Sequence, residues 1–220
     1  RRGVIEELVP PTVVTLETDR ELVETELFPE EERALGRAVE KRRREFVTGR
    51  ALARRALARL GAGDGPVPVP SGERGEPVWP DGVVGSITHC AVLRACAVAR
   101  TDDVASVGID AEVHERLPDG VFETVSSATE RRLLAGQGAG LSMDRVLFSA
   151  KEAVYKAWFP LARRWLGFED VEMAIDADAG TFCARLLVEG PVVEGRRLTE
   201  LCGRFQVDGG VVATAVVVGA

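Results

Sequence analysis

The residues best suited to chemistry in this 220-residue chain begin where an apolar run, Val107-Gly108-Ile109, passes straight into Asp110-Ala111-Glu112. Side chains alternate faces in an extended chain, so Asp110 and Glu112 point the same way, about 7 Å apart, while Ile109 and Ala111 point into the core. Two carboxylates so placed repel each other unless a cation sits between them. An oxygen-only pair suits Mg²⁺, which takes one or two carboxylates together with waters and substrate phosphates. The same spacing also fits a strand that merely finishes in an acidic turn.

Residues 148–159, FSAKEAVYKAWF, carry the second group. On a wheel advancing about 100° per residue, Lys156 lies about 40° and Ser149 about 60° from Glu152, with Ala150, Val154, Ala157 and Leu161 on the opposite, core-facing side. Glu152 and Lys156 thus form an i, i+4 pair, worth about 0.3–0.5 kcal/mol if it is an ordinary surface ion pair. Lys151 lies about 100° round the same wheel. Besides Lys41, Lys151 and Lys156 are the only lysines in the chain. Phe148 and Phe159 flank the polar face, so a partly buried pair in a cleft fits as well as a solvated one. The third candidate is Gly85-Ser86-Ile87-Thr88-His89, in which one of two histidines follows an apolar strand. A lone histidine there is ordinarily structural. The other, His114, sits in an acidic, loop-like stretch with no partner implied.

An arginine-rich segment supplies the positive charge. With Phe46 at zero, Leu35, Val39, Ala53, Leu57 and Leu60 fall within about 40°, forming an apolar stripe. Arg44, Arg55 and Arg59 lie far from it and are expected in solvent. Arg42 and Arg50 land at its two margins, with Arg43 slightly further out. Their stems can lie along apolar surface with the heads in water, or their guanidinium forks can meet a polyanion. A nucleic-acid-binding helix is opposed by the net charge of -7 and by the lack of interleaved aromatics.

Several elements must position these residues. Residues 10–18 alternate as a strand; 30–60 read as one long helix or two abutting ones ending at Gly61. Residues 61–82, rich in Gly and Pro, form a loop tied down by Val78-Trp79. Strands are expected at 83–88, 92–99 and 104–109, helices at 128–136 and 143–159, then strands at 171–176, 181–188, 203–207 and 211–218. A hairpin at Gly209-Gly210 joins the last two. Helix-then-strands occurs twice, so the fold class is α+β. Two similar halves, 1–105 and 106–220, share an interface of the kind that favours ligand sites.

Composition sets the outer limits. At 45% hydrophobic and 29% charged residues, the chain can bury a core and stay soluble. Cys90, Cys96, Cys183 and Cys202 show no C-x-x-C spacing and read as buried free thiols in a reducing compartment. No apolar run approaches the ~20 residues that span a bilayer, and Arg1 to Val9 carries no signal-peptide pattern. A cytoplasmic protein is expected, with neither membrane nor nucleic acid as partner. Because the first residue is Arg1 rather than Met, a trimmed or incomplete N-terminus is expected.

In their order along the chain, these segments resemble the Sfp-type (EntD-like) 4′-phosphopantetheinyl transferases. That family carries G-S-[IL]-[ST]-H, matched by Gly85 to His89; G-x-D-x-E, matched by Gly108 to Glu112; and F-x-x-K-E-x-x-x-K, matched by Phe148, Lys151, Glu152 and Lys156. The segment 42–57, RRREFVTGRALARRAL, is similar to the family's first-half helix. The likeness covers about residues 28–170 and continues loosely through Trp165-Leu166-Gly167-Phe168. It is closest to actinobacterial members that serve polyketide, nonribosomal-peptide or siderophore carriers.

The resemblance implies two α/β halves in a pseudo-twofold arrangement, each a small, mostly antiparallel sheet with a long helix, and an active site at their interface. It implies a monomer, unlike the half-length, trimeric holo-acyl-carrier-protein-synthase type. It implies transfer of phosphopantetheine from coenzyme A to a serine of acidic apo acyl or peptidyl carrier proteins, releasing adenosine 3′,5′-bisphosphate. Residues 1–105 would contact the coenzyme A phosphates and adenine, and 106–220 would carry metal and catalysis. Asp110, Glu112 and Glu152 would ligate Mg²⁺, with Mn²⁺ as substitute, Ala111 leaving one position to water. His89, Arg42 and Arg50 would hold phosphates, including the 3′-phosphate, and Ser86 would join the coenzyme A site. Lys156, with Lys151, would neutralise the pyrophosphate and the leaving nucleotide. Arg74 is the nearest match to a lysine beside the adenine loop. Glu152, or a water it polarises, would take the serine proton. Arg/Lys-rich edges would guide the carrier, with apolar contacts around 113–135. The rivals are a metal-dependent phosphohydrolase and a degenerate coenzyme A- or carrier-binding module.

Overall fold

The β-branched and alanine-rich runs of the chain pair into two main antiparallel sheets, and the edges of those sheets meet. The computed structural model describes residues 2–23, 25–63 and 65–220. Arg1, and Asp64 of the expected 61–82 loop, lie outside the described residues. The first sheet contains β1 (Val14–Thr18), β2 (Val83–His89) and β3 (Arg94–Arg100), in the order β1-β3-β2. The second contains β4 (Val104–Val113), β5 (Val171–Asp176), β6 (Thr181–Leu186), β9 (Glu200–Asp208) and β10 (Val211–Gly219), in the order β4-β10-β9-β6-β5. A small pair, β7 (Val192–Val193) and β8 (Arg196–Arg197), precedes β9. The turn between β9 and β10 uses Gly209 and Gly210 at φ 58° and 77°, the left-handed pair that a tight hairpin requires.

The mixed α and β composition with antiparallel sheets follows the expectation, but the sheets differ in size, three strands against five. The first residues also pack on the second sheet. Arg204 donates to the Glu7 carbonyl and Gln206 to the Val4 carbonyl. Ile5, Leu8 and Val13 share a core with Val107, Ile109, Ala213 and Ala215.

The arginine-rich segment is two helices, α1 (Pro29–Leu35) and α2 (Glu40–Leu60). Gly36, at φ 53°, ends α1. Val39 becomes the residue before α2 and is 73% exposed, so the apolar stripe begins only at Phe46 and continues through Ala53 and Leu57. Three further helices follow: α3 (Val121–Val125), α4 (Ala128–Leu134) and α5 (Met143–Ala162). The Ser127–Glu130 capping box starts α4. Among the described residues, no helix is long and apolar enough to cross a membrane.

Two contacts fix the parts that matter for function. Strands β2 and β4 are both sheet edges, and buried edge N–H groups must find acceptors. The N–H of Ile109 donates to Ser86 Oγ and that of Ala111 to Thr88 Oγ1, each at 3.1 Å. These hydroxyls join the edges side by side with both strands running the same way, which sets His89, at the end of β2, beside Asp110. Helix α5 then lies on β4 at Gly108, where a Cβ would stand 2.1 Å from the Ala153 carbonyl oxygen and 2.6 Å from the Ala157 nitrogen. Glycine of the G-I-D-A-E segment is therefore a packing requirement.

The cysteine expectation is corrected. Cys183 and Cys202 face each other across β6 and β9 with Cα atoms 4.0 Å apart and form a disulfide, leaving Cys90 and Cys96 free. The pairing is set by strand register, which 19 residues of separation conceal.

The Gly108 contact generates a direct test. Gly108→Ala should destabilise the protein by about 3 kcal/mol, the upper end for overpacking, as read from urea denaturation. An unchanged midpoint would mean that α5 shifts off β4 without cost.

Candidate active site

Strand β4 delivers Asp110 and Glu112 to one side of a cleft, and one face of α5 delivers Arg145, Ser149, Glu152 and Lys156. Asp110 is 4% exposed. Its Oδ1 accepts from Lys156 Nζ at 3.0 Å and its Oδ2 from Ser149 Oγ at 2.8 Å. Ser149 Oγ also lies 2.9 Å from Thr214 Oγ1 on β10. Lys156 donates in addition to the Ile109 carbonyl, at 3.0 Å. The expected Glu152–Lys156 ion pair is thus replaced by Lys156–Asp110, because the ammonium reaches across to the buried charge rather than along its own helix.

Glu112 accepts from Arg145 Nη1 at 3.0 Å. Burial and the neighbouring Asp110 charge push its carboxyl up to about 7, against the opposing pull of Arg145 and Lys156. Glu152 takes part in no hydrogen bond or ion pair with a described residue. Burial and then Asp110 raise its pKa, while Lys156 lowers it. Three carboxylates therefore share one region with too little positive charge to compensate them. An all-oxygen, under-compensated set fits a hard divalent cation. The oxygens of the three do not all lie within 4.8 Å of one another. The one described group that meets that limit is Cys183, Glu200 and Cys202, whose sulfurs are bonded to each other.

Opposite the carboxylates, Arg42 Nη1 lies 3.1 Å from His89 Nε2. Arginine can only donate, so Nε2 accepts and the imidazole proton sits on Nδ1. Burial, chiefly, pushes the His89 pKa down; Glu45 opposes this, and Arg42, Lys156 and Arg94 reinforce it. Of the two margin arginines, Arg42 is exposed, while Arg50 is buried at 5% exposure with its Nε on the Val69 carbonyl and its Nη2 on Ser71 Oγ. Its guanidinium stacks 4.0 Å from the Phe46 ring centre, and burial pulls its pKa down to about 10.

Arg42, Glu45, Arg50, His89, Asp110 and Lys156 line a charged cavity of about 200 Å³. Gly75, Pro77, Ile87 and Lys156 are shared with a second cavity of about 380 Å³, whose wall includes Trp79, Ser86, Glu152, Tyr155 and Phe159. Arg74 lies exposed at that wall with its guanidinium 5.8 Å from the Trp165 ring centre.

Comparison with known proteins decides the family. Residues 30–99 match the model of the 4′-phosphopantetheinyl transferase N-terminal domain, and residues 106–205 match that of the 4′-phosphopantetheinyl transferase superfamily. The chain belongs to the 4′-phosphopantetheinyl transferase superfamily. It is 56% identical over 197 residues to the 4′-phosphopantetheinyl transferase Svp of Streptomyces mobaraensis, covering 88% of this chain and 79% of that protein. It is 50% identical over 195 residues to PptT of Mycobacterium tuberculosis, covering 86% and 85%. It is 44% identical over 221 residues to Npt of Nocardia iowensis, covering 97% and 99%. These actinobacterial relatives agree with the likeness carried by the motifs. The enzyme transfers the 4′-phosphopantetheine group of coenzyme A to carrier proteins.

Two residues of this phosphopantetheinyl transferase are placed differently from what their sequence setting suggests. Lys151 is 4% exposed and lines neither of these two cavities but a smaller one of about 110 Å³, beside Glu152 and Tyr155. Its ammonium donates to Glu130 at 2.9 Å and to the carbonyls of Val125 and Phe168 at 2.8 and 2.9 Å. All three donors are taken, so none remains for a phosphate. His114 does have a partner: its Nε2 accepts from the Ser142 N–H at 3.0 Å, at the start of α5. Ser86 lines the larger cavity while its oxygen holds β4.

Sequence reasoning missed Arg145, Thr214 and Glu45. Arg145, Ser149, Glu152 and Lys156 are spaced four, three and four, a helical face that could have revealed Arg145. Thr214 stands opposite Asp110 in the β10–β4 register and left no local signal.

The placement of Lys151 has a clean test. Lys151→Met should cost about 3–5 kcal/mol by stranding buried Glu130, and adding Glu130→Gln should recover part of that. Transfer per folded molecule should stay near normal in the double variant. A stable double variant without activity would return Lys151 to the catalytic site.

Proposed function

We propose that Asp110, Glu112 and Glu152 hold Mg²⁺, with Mn²⁺ able to substitute, against the coenzyme A pyrophosphate. Arg42, Arg50 and His89 hold the nucleotide phosphates, the 3′-phosphate among them, and Arg74 stands toward the adenine. One observation supports this above all. A single cleft faces under-compensated carboxylates from β4 and α5 toward Arg42, His89 and Lys156. On this reading the site lies at the interface of the 1–105 and 106–220 halves, the first gripping nucleotide and the second supplying metal ligands and catalysis.

Bound magnesium would act as a Lewis acid on the pyrophosphate oxygens. The protein's own residues do the rest. The carrier serine hydroxyl attacks the β-phosphorus, its proton passing to Glu152. That carboxylate takes part in no hydrogen bond or ion pair with a described residue, which leaves it open to accept a proton. Lys156 stabilises negative charge on the phosphoryl oxygens and on the departing adenosine 3′,5′-bisphosphate. The larger cavity suits the pantetheine arm: Trp79 and Tyr155 line it, and Trp79 Nε1 and the Tyr155 hydroxyl are buried without a described partner. These could meet the amide groups of the arm. The acceptors are acidic apo acyl or peptidyl carriers, guided by the arginine-rich rim and by apolar contacts around 113–135. The enzyme works as a cytoplasmic monomer.

Single-turnover transfer, read from the intact mass of an apo carrier, tests these roles. Glu152→Gln should slow transfer about 10²-fold or more, the scale of a lost general base, and excess Mg²⁺ should not restore it. Lys156→Ala should also transfer slowly yet retain magnesium-dependent coenzyme A binding. Near-normal rates for Glu152→Gln at high Mg²⁺ would make Glu152 a ligand only. Full wild-type activity in excess EDTA would remove the metal from the scheme.

A further inference from the structure

The charged cavity contains a carboxylate that an anion site has reason to avoid. Glu45 lies one turn beyond Arg42 on α2, and its Oε2 stands 4.0 Å from Arg42 Nη1 and 3.8 Å from His89 Nδ1. On the other side of the ring, His89 Nε2 accepts from the same Arg42 Nη1 at 3.1 Å. The imidazole is therefore held between a carboxylate at Nδ1 and a guanidinium at Nε2. The other charged groups that bear on it are the cations Arg94 of β3 and Lys156 of α5, and Asp110 of β4 lines the same cavity with its charge paired to Lys156. Burial is the largest influence keeping the ring neutral, and Glu45 is the anion that opposes it. A neutral ring with its proton on Nδ1 offers a lone pair at Nε2 to an arriving phosphate. That contact is repulsive until Nε2 gains a proton.

We propose that Glu45 is a positioning residue that couples binding of the coenzyme A phosphate to the uptake of one proton by His89. The idea rests on the reading that Arg42 and His89 hold that phosphate. The phosphate draws the Arg42 donor away from Nε2, and one proton from solvent takes its place. The resulting imidazolium is held from both ends, Nδ1–H toward Glu45 and Nε2–H to a phosphate oxygen. No covalent bond other than N–H is made. Glu45 supplies the countercharge that makes a fourth cation tolerable beside Arg42, Arg94 and Lys156, and it fixes which nitrogen faces the ligand.

The sign of the pH dependence follows by linkage. The phosphate raises the His89 pKa in the complex above its value in the free enzyme. The added affinity is thus fully present below the free-enzyme pKa and is lost as pH rises through that of the complex. In Glu45→Gln the shape of the side chain is kept but the anion that favours the imidazolium is gone, so the His89 pKa falls in the free enzyme and in the complex and the loss begins at lower pH.

Calorimetry of coenzyme A binding in buffers of different ionisation enthalpy reads the proton directly, with the His89 ring followed by NMR. At about pH 7.5 the wild type should take up close to one proton more than His89→Ala. Glu45→Gln should lose most of that uptake and on the order of tenfold in affinity, equivalent to one pKa unit, and should recover toward wild type at about pH 6. Glu45→Asp should retain part of the uptake. Dephospho-coenzyme A, run in parallel, should show no such uptake if His89 reads the 3′-phosphate; equal uptake would assign the contact to the pyrophosphate. Wild-type uptake no greater than that of His89→Ala, or undiminished uptake in Glu45→Gln, overturns the proposal. If Arg42→Ala and His89→Ala instead bind coenzyme A as wild type does, the phosphate reading itself has failed.

Discussion

The buried Asp110 carboxylate is the interaction on which the rest of the site depends. It is a charge removed from water, and such a charge is tolerated only when its oxygens are satisfied. Lys156 and Ser149 of α5 meet that need directly, Thr214 of β10 through Ser149, and Thr88 of β2 adds a longer contact at 3.5 Å. Helix α5 and strands β2 and β10 are thereby drawn to one point on β4. The Gly108 contact lets α5 approach closely enough for Lys156 to reach, and the Ser86 and Thr88 hydroxyls close the seam from the other side.

The electrostatics of the cleft are incomplete in opposite senses on its two walls. Burial and like charge raise Glu112 and Glu152, whereas burial and neighbouring cations lower His89. The internal ion pairs Lys156–Asp110 and Arg145–Glu112 offset only part of the carboxylate charge, since Glu152 has no such partner among the described residues. A divalent cation would relieve one wall and a polyanionic nucleotide the other. On the proposed reading, a metal–nucleotide complex would complement the cleft better than either component alone.

The residues that the structure gathers in the cleft were legible because strands and helices impose short periods. Asp110 and Glu112 share a strand face by alternation, and Ser149, Glu152 and Lys156 share a helix face by angle. What could not be read was set by long-range register or by competition among partners. Lys151 sits beside Glu152 in sequence, but buried Glu130 and two carbonyls claim it. Nothing local in Cys183 or Cys202 announces that β6 and β9 place them opposite each other. The break between α1 and α2 turns on the positive φ of Gly36, which a wheel drawn through Leu35 and Val39 passes over. The size difference between the sheets arises because β4 and the last strands collect into one unit of five.

The central claim is that metal and nucleotide complete the cleft together through Asp110. Calorimetric titration of coenzyme A with and without Mg²⁺, on the wild type and on Asp110→Asn, tests it most directly. The account predicts that Mg²⁺ tightens coenzyme A binding to the wild type by about tenfold or more, within the range of coupled sites, and that Asp110→Asn abolishes the enhancement. An equal enhancement in Asp110→Asn, or none in the wild type, would contradict it.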